Sequence, residues 1–557
     1  MTGQQPPVGA SNEKNRPGLA ARFAAWPPAL PLELCCAAGL LSISLGPDNN
    51  WDLRFYHLYA PWAYLHGRYL YDIGPAQYQG FFNPTADLLF YALISSPLNG
   101  FPRLIAFIMG AVHGINVALV LAIALHVFRP LQSWERWTLG TVAMAIGAAG
   151  AGFVSLLGTT TNDLIDSIFV LAALLAILKA AAPANGRAVW RGFAWAGLLA
   201  GLGVGLKYTA VIFVPGLLVI TTMAARRHRS SAGFLAFGIA GVVGVLGSAG
   251  HHMVVLWRDF RNPVFPLFNQ FFQSPYYEPA TLSHTPFMLR NLWQLAANPF
   301  LWAQTNENLV TELPFRDWRG AMAYLAIAAL WLKFAVERIA GQRTSRAAAP
   351  THDLGFVLIF AVVSYVCWAI GFNIYRYAVT IDMLTGIIIV GAVIWLFADP
   401  RLRAGAAVAV LAIALTTTIP IEWGRGPHPT AGEGPVPFGD RYIDVRVPPL
   451  PERSVVLLAT WAPVSYFIPY AEPTAQYLGI ENNYLELSQT NKFAAEIKRL
   501  MQTPGRPRFI LAVGDNDADR LDEILQRLGL RLSPSPCLPI RSNLEEAPLS
   551  LCPVADG

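Results

Sequence analysis

Apolar runs of roughly 18 residues or more recur from Leu30 to Ile419, each long enough to cross a hydrocarbon core of about 30 Å as a helix. A backbone inside that core must satisfy its own hydrogen bonds, so runs of this length leave one economical fold, a bundle of membrane-spanning helices. Composition agrees, since charged residues make up 13% of the 557 against about a quarter in soluble domains. The net charge of +5 is spread over scattered loops with no continuous basic face, which argues against nucleic acid as a partner.

Basic residues gather in the N-terminal tail (Lys14, Arg16, Arg22) and around 129–136, 187–191, 226–229, 338–346 and 401–403. The positive-inside bias assigns these loops to the cytoplasm. Alternating sides at each of them predicts about eleven spans, near 29–46, 102–127, 138–157, 164–183, 191–206, 208–224, 233–256, 319–336, 354–372, 378–398 and 404–420, with the N-terminus inside and the C-terminus outside. The first run lacks an A-x-A-like cleavage site and reads as a retained span. The apolar segment 87–97 is too short to cross and reads as an interfacial or re-entrant helix.

Three regions follow: a cytoplasmic tail over 1–28, a membrane domain over 29–421 with outer loops 47–101 and 251–318, and an extracytoplasmic domain over 422–557. The last opens on the linker-like "WGRGPHPTAGEGPVPFG" and continues with strand-like "RSVVLLATW" and "PRFILAV" and helical "DADRLDEILQRLGL", the pattern of a small α/β domain. Cys537 and Cys552 are its two cysteines and predict a disulfide in an oxidising compartment. Cys35, Cys36 and Cys367 fall inside predicted spans. The Ala, Arg and Pro bias points to a bacterial inner membrane with a periplasmic C-terminus.

Polar chemistry collects on the outer face. Behind the first span comes "GPDNNWDLRFYHLYAPWAYLHGRYLYD". Its rings suit an interfacial belt, but its acids do not, because a surface carrying anionic lipid does not attract carboxylates. Asp48 and Asp52 are four residues apart and would share one side of a helix.

The spacing Asp52, Tyr56, Gly67, with Ala60 and apolar residues between, resembles the first outer loop of GT-C glycosyltransferases, more narrowly that of protein mannosyltransferases and lipid A aminoarabinose transferases. The resemblance implies a catalytic base at Asp52 and a polyprenyl-phosphate-linked sugar as donor. Where that family often has a second acid this chain has Leu53, so the second role passes to Asp48. Transfer from a lipid phosphate passes through an oxocarbenium-like centre, needs a base for the acceptor hydroxyl, and needs cations or a metal at the leaving phosphate.

Cations on the same side are Arg54, Arg68, Lys207, Arg258, Arg261 and Arg376. Lys207, in "GLGVGLKYTA", sits where two spans meet with almost no loop, and reads equally as a snorkelling anchor or an anion ligand. Arg376, in "GFNIYRYAVTIDML", sits where a span re-enters from outside; its position resembles that of the arginine that superfamily members present to the lipid phosphate, with Asp382 deeper in the span as a candidate ion-pair partner. His57, Tyr56, Tyr208 and Tyr377 are further candidate substrate contacts. In "GTTTNDLID", Thr160 or Asn162 reads as a helix N-cap, and Asp163 with Asp48 or Asp52 as ligands for a divalent cation, Mg or Mn. "WRDFRNPVFPLFNQFFQSPYYEP" has the aromatic and basic content of a membrane-surface segment, with Arg258 near the donor headgroup.

The predicted function is an integral membrane hexosyl- or pentosyltransferase whose acceptor is a lipid, a polysaccharide or a protein. The alternative is a transporter or flippase of lipid-linked sugars, which would place its site near the bilayer midplane and show internal repeats; neither is visible. A receptor or scaffold would tolerate replacement of the loop acids.

Overall fold

The computed structural model describes residues 27–182, 189–280, 286–305, 309–340, 352–425, 437–514, 518–544 and 547–557. Lys14, Arg16 and Arg22, most of the Pro/Gly linker, and Asp515 and Asp517 of the tail lie outside them.

Every apolar segment forms a helix: Leu30–Ser44, Pro102–Val127, Ser133–Ala148 with its continuation Ala151–Leu156, Asp163–Ala180, Val189–Leu206, Val214–Arg227 behind the 3-10 turn Tyr208–Phe213, Ser231–Phe260, Arg319–Ile339, His352–Gly371, Val379–Leu396 and Pro400–Thr417. Among the described residues, eight helices are long and apolar enough to cross a membrane, fewer than the eleven spans predicted. Leu30–Ser44 stops at 15 residues, the third segment divides at Gly150, and Asp163–Ala180 carries Asp163, Asp166 and Lys179. The segment expected over 87–97 is the short helix Leu88–Ile94.

Helix packing relies on small residues. A Cβ at Gly197 or Gly201 would collide with the carbonyl oxygens of Phe237 and Gly241, so Val189–Leu206 and Ser231–Phe260 touch backbone to backbone, as membrane helices spaced by small residues do. That contact fixes the end of the helix from which Lys207 emerges.

The break at Gly150 has a cause in the opposite half of the bundle. Arg319 is fully buried and its Nη2 lies 2.6 Å from Asp317 Oδ2 and 2.6 Å from Asp382 Oδ2. Its Nη1 donates to the carbonyls of Ile146 and Gly147 at 3.1 and 3.0 Å. A side chain at position 150 would occupy the guanidinium's space. Asp382 is therefore committed to Arg319, correcting the sequence-based pairing of Asp382 with Arg376. A charge that deep is tolerable only when paired and hydrogen-bonded on all sides.

The C-terminal part forms a mixed sheet. Strands β1 (Val445–Arg446), β2 (Val455–Leu458), β3 (Gln476–Gly479), β4 (Arg508–Val513), β5 (Leu530–Leu532), β6 (Leu538–Ser542) and β7 (Leu549–Asp556) run in the order β1-β6-β7-β4-β2-β3, with β5 also on β7. β2 pairs in parallel with β3 and β4, whereas β7 is antiparallel to its neighbours. Lys492–Gln502 and Ala518–Gln526 are amphipathic, burying Phe493, Ile497, Leu521 and Leu525 under the sheet.

The first loop is built into that sheet. Ile73 forms a parallel bridge with Leu478: its N–H donates to Tyr477 O at 3.0 Å and its carbonyl accepts from Gly479 at 2.7 Å. Residues of both segments share one hydrophobic cluster, with Tyr69, Ile73 and Phe81 on the loop side and Leu478, Tyr484 and Phe493 on the sheet side.

Candidate active site

Asp52 stands at the head of a π-turn over Leu53–His57, which runs into the helix Tyr59–Leu65. Pro61 explains the widening, since its ring removes the N–H that would bond the carbonyl of His57 and crowds that carbonyl. Asn50 starts the turn by accepting from Leu53 N at 2.8 Å. The helix ends at Gly67, whose φ of 65° is the left-handed stop glycine favours; the glycine of the family spacing is a terminator here.

The Asp52 carboxylate accepts from the Arg376 guanidinium, and Tyr56 Oη lies 3.5 Å away. Both charged side chains keep a path to solvent, at 25% exposure for Arg376 and 13% for Asp52. Burial acts to raise the Asp52 carboxyl. The positive charge and hydrogen bond of Arg376, with the charge of Lys207 further back, outweigh it and hold the group below its ordinary value. Burial and the nearby Asp52 charge push the Tyr56 hydroxyl far upward, so it stays a protonated donor.

Lys207 completes the cationic side. Its ammonium lies 2.6 Å from Asp163 Oδ1 and 5.1 Å from the Tyr377 ring centroid, whose other neighbour is Arg376 at 5.3 Å. Tyr377 thus spaces the two cations. Tyr208, next to Lys207, has a buried hydroxyl with no hydrogen-bond partner among the described residues.

His57 and Asn162 meet at a residue the sequence did not single out, Asp87. His57 Nδ1 is 2.7 Å from Asp87 Oδ1, and Asn162 Nδ2 donates to that oxygen at 2.8 Å. Asn162 occupies the N-cap position of its helix, as the sequence suggested, but its side chain goes to Asp87 and makes no capping bond.

Thr160 binds Asp48, through its N–H at 2.7 Å and its hydroxyl at 2.8 Å. Asn50 adds its side-chain amide at 2.7 Å, and Asp48 N donates to Tyr442 Oη at 3.1 Å. Asp48 is buried at the crossing of the two loops and the tail, its oxygens taken by Thr160 and Asn50 rather than turned to the Arg376 that holds Asp52.

Arg68 faces away from Asp52. Its Nε and Nη2 clasp Asp72 at 2.9 and 2.8 Å, and Nη1 and Nη2 donate to the carbonyls of Pro473 and Ala475 at 2.6 Å each. It docks the tail sheet. Arg258 pairs with its neighbour Asp259 at 2.7 Å on an exposed helix surface. Cys537 and Cys552 are disulfide-bonded across a separation of 15 residues.

A divalent cation fits these residues poorly. Among the described residues no three His, Cys, Asp or Glu side chains converge on one point. Near Lys207, Asp163 Oδ2 and Asp166 Oδ1 lack hydrogen-bond partners among the described residues, but the Lys207 ammonium already holds the other Asp163 oxygen and would repel a dication.

No protein-family model matches the chain, and no curated protein is similar to it at a significant level. The structure is similar to that of ArnT from Cupriavidus metallidurans bound to undecaprenyl phosphate, with 11% identity, a TM-score of 0.48 and coverage of 96% of this chain and 98% of that one. It is also similar to the oligosaccharyltransferase of Archaeoglobus fulgidus. The apo form gives 11% identity, a TM-score of 0.43 and coverage of 89% and 71%, and the complex with Zn and sulfate 13%, 0.44, 88% and 69%.

Proposed function

We propose that the chain is a GT-C-type membrane glycosyltransferase that moves a hexosyl or pentosyl group from a polyprenyl-phosphate donor to a lipid, glycan or protein acceptor. The site works on the periplasmic side of a bacterial inner membrane, and the 422–557 domain helps select the acceptor. The observation that carries the reading is the joining of Asp52 to Arg376 next to Lys207: a carboxylate base and two anion-binding cations in one partly open cluster.

The donor phosphate competes with Asp52 for Arg376 and with Asp163 for Lys207. As the guanidinium turns to the phosphate, the Asp52 carboxylate loses the charge that lowers its basicity and accepts the acceptor's proton. The acceptor oxygen bonds to the anomeric carbon, the bond from that carbon to the phosphate oxygen breaks, and the electron pair leaves on the phosphate. Arg376 and Lys207 stabilise that developing charge. Lys207, in place of a metal ion, supplies the second positive charge.

Incubating the purified, reconstituted protein with radiolabelled polyprenyl-phosphate sugars and an envelope extract as acceptor tests the reading. Covalent transfer, or slow donor hydrolysis without acceptor, is the expected result. Movement of intact donor across the vesicle membrane without bond breakage would make the chain a flippase.

A further inference from the structure

The turn that carries Asp52 also carries His57, to which the mechanism above gives no step. His57 is 1% exposed. Its Nδ1 faces Asp87 Oδ1 at 2.7 Å, and a carboxylate can only accept, so the proton of a neutral ring sits on Nδ1 and the lone pair on Nε2. Asp87 is itself held by Asn162 of the second loop, which fixes the ring from two directions. His57 Nε2 is buried and has no hydrogen-bond partner among the described residues, a costly state for a core imidazole and a suitable one for a group awaiting a substrate.

The π-turn also matters. It advances by i to i+5, so Asp52 and His57 fall on one face of the chain, where an α-turn would rotate them apart. Tyr56 links the two: its hydroxyl lies 3.5 Å from Asp52 Oδ2 and its ring centroid 4.1 Å from that of His57. With Nδ1 carrying the ring proton, the Nε2 lone pair is the atom that can accept a proton first taken by Asp52.

Resting on the glycosyl-transfer reading, we propose that His57 is a catalytic proton acceptor, positioned by Asp87, that takes over the acceptor's proton from Asp52 and delivers it to the departing phosphate. The balance closes without a further reactant. The acceptor O–H and the bond from anomeric carbon to phosphate oxygen break, the new glycosidic bond forms, and the proton ends on the polyprenyl phosphate.

The test uses His57→Gln, whose amide N–H still reaches a carboxylate but cannot carry a proton at neutral pH. The full-length protein is assayed for kcat, donor KM and binding of polyprenyl phosphate, with rates normalised to binding-competent protein. The expected loss is about 10²-fold or more in kcat, with donor KM and polyprenyl-phosphate binding unchanged. Asp87→Asn should lose kcat in the same way, and the double variant should be no worse than His57→Gln, because Asp87 acts only through the ring. Wild-type kcat per binding-competent His57→Gln molecule overturns the proposal, and multiplying losses in the double variant overturn the positioning role of Asp87. If His57→Gln does not fold, loss of the wild-type solvent deuterium effect on kcat in Asp87→Asn supports the proposal and its retention overturns it. Normal turnover by Asp52→Asn would instead sink the glycosyl-transfer reading itself.

Discussion

Replacing Asp52 by Asn should have two effects of opposite sign on one protein. The isosteric amide keeps an oxygen for Arg376 but removes the base, and a general base contributes about 10²–10⁴-fold to turnover. The same substitution releases the guanidinium. Two unit charges about 4 Å apart attract by about 4 kcal/mol at an effective dielectric constant near 20. With the pair 25% and 13% exposed, solvent screening leaves about a third of that, on the order of 1.4 kcal/mol, or about tenfold in a binding constant. A polyprenyl phosphate no longer has to compete with Asp52 for Arg376. Its Kd should therefore fall about tenfold in Asp52→Asn while kcat collapses. Equilibrium binding of a fluorescent polyprenyl phosphate to protein in nanodiscs, beside the transfer assay, measures both. An unchanged or weaker Kd would refute the competition on which the mechanism depends.

Because the Asp52 carboxyl is held below its ordinary value, its ionised form contributes stability that is complete above the unfolded value and lost only as pH falls through the depressed folded one. Activity should accordingly persist at mildly acid pH, and Arg376→Gln should move the acid limb of kcat/KM upward, since burial then acts unopposed; a limb that stays in place refutes the assignment of Asp52 as base. Arg68→Ala leaves the Asp72 side chain, at 0% exposure, without its cation, a loss of about 3–5 kcal/mol; limited proteolysis should show the C-terminal domain released from the first loop. Converting Cys537 and Cys552 to Ser opens a loop of 15 residues worth about 3 kcal/mol; the Tm of the wild type should drop on reduction and that of the double variant should not respond.

Much of the bundle was legible because a membrane leaves few ways to bury a backbone. Helix ends landed near the predicted boundaries wherever an apolar run was uninterrupted, as for Pro102–Val127. The reading weakened where a run was broken for a partner distant in sequence. Nothing near Gly150 announces that Arg319 will fill its missing side chain. In the site, Lys207 stood out because a charge at the end of an apolar run is expensive without a task, and Arg376 because its position resembles that of a phosphate-facing arginine in GT-C enzymes. Asp87 did not: it follows a proline-led turn, where an acid reads as a solvated side chain, and its partners His57 and Asn162 lie 30 and 75 residues away. No spacing rule connects three such positions. The one available signal was negative, an acid inside a segment too apolar to be a surface loop.

Asp48 and Asp52 show why four-residue spacing misleads when a helix starts between the two positions. Asp48 precedes the turn, in extended chain behind Gly46, and its oxygens are met by Thr160 and Asn50. Freeing it would break several hydrogen bonds and separate the two loops from the tail, at an unsatisfied-group cost of about 1–3 kcal/mol for each donor left behind. Asp52 is held chiefly by one long, partly exposed cation that can turn elsewhere. In a low-dielectric site neither an isolated carboxylate nor an isolated guanidinium survives insertion, so a resting pair is required whatever the reaction. What separates a catalytic carboxylate from a structural one is whether the incoming ligand offers the partner a better bond. A phosphate offers that to Arg376 and has nothing comparable to offer Thr160.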